Sequence, residues 1–227
     1  MTSITVGMLP KYHWLLFLDA DVLPKHDSYI SNYLSFLTSE LDAIYGGFAY
    51  YEEPPQNAYK LRWEYGRKRE EIKANIRNRK PYKSIISANF LIKKETFKNL
   101  NSQIKGNFYG EDNHFGALLK SNAVKVFHID NEVYHLGIEP SIKYLEKKEQ
   151  AALTLLNIYN SKSHLNHDND LLGLFETSKR YKFNYLLAQI FKIFKQPIKR
   201  NLLGKKPSIN LLQLYRIGFM CYEDLKG

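Results

Sequence analysis

The sequence predicts an α/β protein: residues 1–137 form a mixed sheet with flanking helices, and residues 138–227 form a helical C-terminal region. Three observations predict it. Short unbroken apolar runs, led by "WLLFL", have the length and composition of buried strands. Segments with helical spacing alternate with those runs as far as "VYHLG". Beyond Pro140 the apolar residues recur only with the helical period.

The elements follow in order. Trp14–Leu18 reads as a buried parallel strand that runs straight into Asp19-Ala-Asp21. Residues 26–39 have helical spacing through Tyr29, Ile30, Tyr33, Leu34 and Leu37. "LDAIYGGFAYY" reads as a strand in which Gly46 and Gly47 mark a kink or a close backbone approach. "EEPPQN" is a loop, because paired prolines stop regular structure. Residues 58–79 predict one long basic helix, and "SIISANFLIKKETF" a buried strand that turns into a short helix. "YGEDNHFGALLKSN" opens on a glycine turn, then places acidic residues in the first turn of a helix, where the dipole favours them. "VKVFHI" and "EVYHLG" are short strands. A long amphipathic helix is expected over 140–159, then the polar linker "NSKSHLNHDND", then helices over 171–180, 183–194 and 208–222.

The length of 227 residues suits one domain, or one with an appendage. A chain 44% hydrophobic and 25% charged is not a disordered one. The single cysteine, Cys221, excludes an internal disulfide framework and fits a reducing compartment. No secretory leader pattern opens the chain, and no apolar run reaches the roughly 18–20 residues of a membrane span, so the expected location is cytoplasmic. A net charge of +10 favours anionic partners: nucleotide phosphates, acidic lipid surfaces or nucleic acid. Nucleic acid is set aside, because the basic residues form no recognisable module and paired carboxylates oppose a phosphate backbone.

Asp19 and Asp21 fall at the carboxyl end of a strand, where ligands bind in open α/β sheets. Residues i and i+2 of an extended chain point the same way, so the two carboxylates repel unless a cation lies between them. A hard divalent cation, with phosphates completing its shell, meets that need. The competing reading is a turn and helix cap, for which one aspartate suffices.

Read together, "FLDAD", "YGEDNHFG" and "VYHLG" resemble, in this order, the family 2 glycosyltransferases that build bacterial surface polysaccharides. "LRWEYGRKRE", "HIDNEVYHLG" and "LYRIGF" also look like parts of that family, and the likeness covers nearly the whole chain. The resemblance implies a partial GT-A (Rossmann-like) mixed sheet with a helical C-terminal extension. It matches Asp19 and Asp21 to a motif that binds Mn²⁺ or Mg²⁺ and the diphosphate of a nucleotide sugar. Asp21 would ligate the metal directly and Asp19 would lie nearer the ribose. It matches His135 to a histidine that ligates the same metal in some relatives, and Asp112 to the catalytic base, with Glu111 beside it. The reaction implied is inverting transfer from a nucleotide-diphosphate sugar to a glycan or lipid-linked acceptor. Elementary chemistry asks for the same equipment. A cation stabilises the charge growing on the leaving diphosphate, and a carboxylate takes the proton of the attacking hydroxyl.

The sequence departs from that family before Asp19. The family places there a strand-helix-strand unit that holds the nucleobase; here "MTSITVGMLPKYH" stands in its place, and Pro10 breaks any helix. The expectation is a truncated member with exposed sheet edges and little transfer of its own. Two other readings stay open. "FLDADVL" also fits phosphatases of the haloacid dehalogenase type, with Asp19 as nucleophile and Mg²⁺ beside it; a non-catalytic, partner-binding remnant is the other.

Lesser candidates carry two readings each. Trp63, Tyr65 and the aromatics near Tyr50 line an acceptor platform or belong to the core. Arg62, Arg67, Lys68 and Arg69 contact phosphate or form an exposed basic helix face. His114 and His128 are structural or surface residues. "YKFNYLLAQIFKIFKQPIKRNLLGKK", at 181–206, has too short an apolar core to span a bilayer. It either lies on an anionic membrane at the inner face or packs on the catalytic domain with its lysines solvated.

Overall fold

The computed structural model describes residues 12–104, 111–160 and 167–226, with side chains from 114 onward in the second stretch. The strands are β1 (Trp14–Leu18), β2 (Val22–Pro24), β3 (Ala43–Tyr45), β4 (Phe48–Ala49), β5 (Asn89–Lys93), β6 (Val126–His128) and β7 (Val133–His135). The helices are α1 (Tyr29–Leu34), α2 (Lys60–Tyr65), α3 (Ala74–Arg77), α4 (Lys94–Ser102), α5 (Glu111–Ser121), α6 (Ser141–Asn160), α7 (Asp170–Arg180), α8 (Asn184–Leu202) and α9 (Ile209–Asp224). The protein is α/β, as expected, with two mixed sheets flanked by helices. One sheet has the order β1-β5-β3-β6 and the other β2-β7-β4.

The four-stranded sheet is packed on both faces. Leu15, Phe17, Ala43, Tyr45, Phe90 and Ile92 face α4 and α5, meeting Phe97, Leu100, Phe115 and Leu119. The opposite face, through Ile44 and Leu91, packs on Tyr29 and Tyr33 of α1 and on Val133 of the second sheet. Period-two alternation across paired registers produces this division: Leu15 lies opposite Ile92, and Phe17 opposite Phe90.

The expectation for β1 is corrected. It is no buried parallel strand; it pairs antiparallel with β5 and, among the described residues, stands at the sheet edge. Leu16 and Leu18 are 38% and 44% exposed, so the apolar run reflects a half-covered strand and not one enclosed on both faces.

Two helices are also shorter than their spacing predicted. Only Tyr29–Leu34 of 26–39 is α-helical; Tyr29 and Tyr33 turn inward, while Ile30 and Leu34 stay exposed. Residues 58–79 are not one helix. A 3₁₀ turn at Asn57–Tyr59 leads into α2, a π-turn at Gly66–Glu70 follows, the chain opens at Glu71, and α3 restarts at Ala74. The cause is tertiary: Gly66 packs on the Tyr50 ring, and Arg77 is drawn beneath β3. Pairs of this kind outweigh local propensity, and π-turns accommodate the extra residue.

Two buried polar hubs join the sheets. Asn89, fully buried, accepts from the Tyr29 and Tyr33 hydroxyls and donates to the Gly47 and Asn131 carbonyls. Arg77, 2% exposed, spends all five of its N–H donors: on the carbonyls of Ile72, Tyr45, Gly46 and Ile129 and on His128 Nδ1. Gly47 has φ +88°, and a Cβ there would lie 2.7 Å from Arg77 Nη2. The glycine pair thus marks both a kink and a close approach, as read from the sequence.

His128 is structural and buried. Its Nδ1 lies 2.8 Å from Arg77 Nη1, and its Nε2 lies 2.8 Å from the Pro81 carbonyl, so the ring is neutral with its proton on Nε2. Burial pushes its pKa down to about 4. The folded pKa lies below the unfolded one near 6.5, so its contribution is present above pH 6.5 and is lost as pH falls toward 4. Urea melts at pH 7 and pH 4.5 should differ, and His128→Phe should flatten that difference by about 2 kcal/mol. An unchanged pH dependence in that variant would remove the account.

The C-terminal region is helical, as expected. The α7, α8 and α9 helices pack on α6 around Leu155, Phe175, Ala188 and Met220. Asn169 and Ser208 cap α7 and α9. The α8 helix continues through Pro197 to Leu202, beyond the predicted 194. Leu61 of α2, wholly buried, shares a core with Tyr144, Leu145, Ile209 and Leu212, which fastens this region to the sheet-bearing part.

Candidate functional site

Asp19 and Asp21 sit on the turn from β1 into β2. The Asp19 amide donates to the Ala88 carbonyl, so the turn is held by the strand that Asn89 begins. The β2–β7 pairing then sets Val22 opposite His135, and the Leu136 amide donates to the Asp21 carbonyl. This register brings His135 Nε2 within 3.9 Å of Asp21 Oδ2, across 114 residues of sequence. Gly137 closes the same corner. A Cβ at 137 would lie 2.8 Å from Asp21 Cγ, so only glycine leaves the carboxylate its place.

The electrostatics match a carboxylate pair. Asp19 is held above the ordinary carboxylate range, chiefly by partial desolvation and then by the charge of Asp21. Burial, then the Arg62 guanidinium, hold the His135 pKa below its ordinary value, so the ring is neutral at pH 7. The ring packs against Phe48 edge-on and against a tilted Tyr50, with centroids 5.1 and 5.9 Å away. Nδ1 is buried and has no hydrogen-bond partner.

A neutral imidazole nitrogen and a carboxylate oxygen 3.9 Å apart lie within the span of two metal bonds of about 2.1 Å each. Among the described residues, however, no three His, Cys, Asp or Glu side chains are placed to hold a metal together. Among the described residues, Asp21 and His135 are thus the pair of donor groups that this geometry brings together.

Asp112 and Glu111 begin α5, in its first turn as expected, but their side chains lie outside the described residues. Of the lesser candidates, Tyr50 is core at 2% exposed, and Tyr65 packs on Tyr144. Trp63 is half-buried and donates from its ring nitrogen to the Tyr51 carbonyl. The half-exposed Tyr51 stacks flat on Tyr134, centroids 4.6 Å apart. Arg62 is no part of an exposed basic face: its side chain is 8% exposed, and Nη2 pairs with Glu70 at 2.9 Å. Arg67 and Lys68 do sit on the outer side, in i,i+4 pairs with Glu71 and Glu64.

Sequence reasoning missed Asn89, Arg77 and Glu70. Each is an ordinary polar residue in a region that scans as strand or basic helix; the one usable signal was the "GG" that makes room for Arg77. Neither a scan against family models nor a search of curated proteins finds a match for this chain.

Proposed function

We propose that the chain carries the metal site of an inverting glycosyltransferase, acting on a nucleotide-diphosphate sugar with a glycan or lipid-linked acceptor. The observation that supports this most is the convergence of Asp21 and His135, brought together by the β2–β7 register with Gly137 clearing the space. Asp21 and His135 would hold Mn²⁺ or Mg²⁺, with Asp19 alongside. Such an ion supplies charge stabilisation for a departing diphosphate. A nitrogen in the donor set inclines the choice toward Mn²⁺. The neutral state of His135 leaves Nε2 able to donate its lone pair, and the Asp19–Asp21 repulsion is relieved when positive charge arrives. Asp112 is proposed as the base for the acceptor hydroxyl. The antiparallel, edge position of β1 and the helix that opens at Glu111 lend the phosphatase reading no support.

Calorimetric titration with a nucleoside diphosphate tests the reading. Binding should require Mn²⁺ or Mg²⁺, and Asp112→Asn should leave it intact while removing any sugar transfer. Equal binding in EDTA would sink the proposal.

We further propose that α8 rests on an anionic membrane. No helix of the described residues is long and apolar enough to cross one. Phe191 is buried against Tyr215 and Phe219, so part of the segment packs inward. Its outer side does not: Tyr181, Phe183, Tyr185, Leu186, Ile193 and Phe194 are 50–66% exposed, beside Lys182, Lys192 and Lys195. Exposed aromatics next to cations suit a headgroup layer, each cation contributing roughly 1 kcal/mol. Co-sedimentation with anionic vesicles, lost on Lys→Glu changes at 192, 195 and 199, is the expected result; no binding at low salt would leave a plain helical appendage.

A further inference from the structure

Close to Tyr50, which also touches His135, lies a cluster of buried and half-buried cations that the proposed chemistry does not use. Arg62 spans two rings, with Cζ 5.4 Å from the Tyr50 centroid and 5.2 Å from that of Tyr144. Lys148 of α6 reaches the same Tyr144 ring, with Nζ at 4.7 Å, and lies 4.4 Å from Tyr65. The two cations are therefore within about 10 Å of each other through one shared ring. Arg216 of α9 completes the group: it acts on Lys148 and on Tyr65 through space, and its Nη1 donates to Gln213 at 3.0 Å.

Negative charge does not balance them. Glu70 pairs with Arg62 and also accepts from the Tyr50 hydroxyl. Glu139, the other carboxylate that acts on Lys148, is taken by Lys147 at 2.6 Å. Among the described residues Lys148 and Arg216 have no ion pair. With Lys148 protonated, three cations share one carboxylate among the described residues, an excess of two positive charges. Two guanidinium nitrogens, Arg62 Nη1 and Arg216 Nε, are buried without any hydrogen-bond partner. Aromatic faces attract cations but accept no directed hydrogen bond of ordinary strength, and buried unpaired donors are costly. Burial, with Arg216 next, lowers the Lys148 pKa to about 7, which is the behaviour of an ammonium lacking its counter-ion.

We propose that Arg62, Lys148 and Arg216 form a binding site for a doubly charged oxyanion of the phosphate class. The charge excess equals that of a phosphate dianion and exceeds that of a carboxylate. Guanidinium forks match phosphate oxygens. Lys148 and Arg216, both half-buried, form the open side of the cluster, while Arg62 forms its floor. The donors come from α2, α6 and α9, so an anion seated there ties the helical region to the sheet-bearing part. A free phosphate and the phosphate of a lipid-linked acceptor offer the same chemistry.

The test uses the full chain in EDTA, so that the outcome is independent of the metal reading. Inorganic phosphate and a short-chain phosphatidic acid are titrated by calorimetry, with acetate as the monoanion control. Phosphate should bind at least 10-fold more tightly than acetate. Lys148→Gln and Arg216→Gln should each weaken it by 10-fold or more at unchanged far-ultraviolet dichroism, while Asp21→Ala should change nothing. Tighter binding of phosphatidic acid would assign the site to a lipid phosphate, and equal binding to a free one. Acetate binding as well as phosphate, or both Gln variants binding like the parent chain, would overturn the proposal.

Discussion

Arg77→Met will destabilise the protein by about 3–5 kcal/mol, read as a fall in the urea midpoint at pH 7. The side chain is 2% exposed, and its five donors serve four carbonyls and one imidazole nitrogen. Removing it takes its donors from the Ile72 and Ile129 carbonyls and a second donor from the Tyr45 and Gly46 carbonyls, which keep the Ile129 and Asn131 amides; a buried acceptor left unpaired costs on the order of 1–3 kcal/mol. It also takes from His128 the donor that fixes its tautomer. Arg77→Lys should fail almost as badly, because one ammonium has three donors and no fork. A midpoint within error of the parent would mean that water satisfies these groups and that the hub is incidental.

Asp21→Ala should do the opposite: leave stability unchanged or slightly raised, and abolish divalent-cation binding. Asp21 is 53% exposed, and its carboxylate lies 3.9 Å from His135 Nε2. A histidine held neutral gains little from that carboxylate. Removing the charge also relieves Asp19, whose pKa should return toward the ordinary carboxylate range. A lost first ligand costs more than the 10–100-fold typical of residues behind the ligands, so Mn²⁺ affinity should fall by more than about 100-fold. A variant that is much less stable and still binds Mn²⁺ would recast Asp21 as a turn residue, the bland reading of "DAD".

The sequence made some of this legible for physical reasons that are easy to name. Strands β5, β6 and β7 and helices α6 to α9 follow from apolar spacing, because each buries one face against a neighbour. Gly46 and Gly47 announced a close approach, though not that Arg77 was what approached. The Asp19, Asp21 and His135 set was named, and Asp21 and His135 do meet; what joins them is a strand register over 114 residues, which no local pattern encodes. The 58–79 segment failed for the complementary reason. Its basic residues look like a solvated helix face, yet Arg62 and Arg77 turn inward, and the helix gives way to a π-turn to let them. The apolar run of β1 misled because hydrophobicity reports burial potential and not pairing partner; a strand at an edge can carry the same letters as one at the centre.

Pulsed electron paramagnetic resonance of Mn²⁺ added to the full chain tests the central claim most directly. The spectrum should show one tightly held ion with coupling to a single imidazole nitrogen, and His135→Gln should remove that coupling while Asp21→Ala removes the ion. Addition of a nucleoside diphosphate should add phosphorus coupling at the same ion. Mn²⁺ bound only loosely, or bound tightly with no nitrogen coupling, would contradict a site shared by Asp21 and His135.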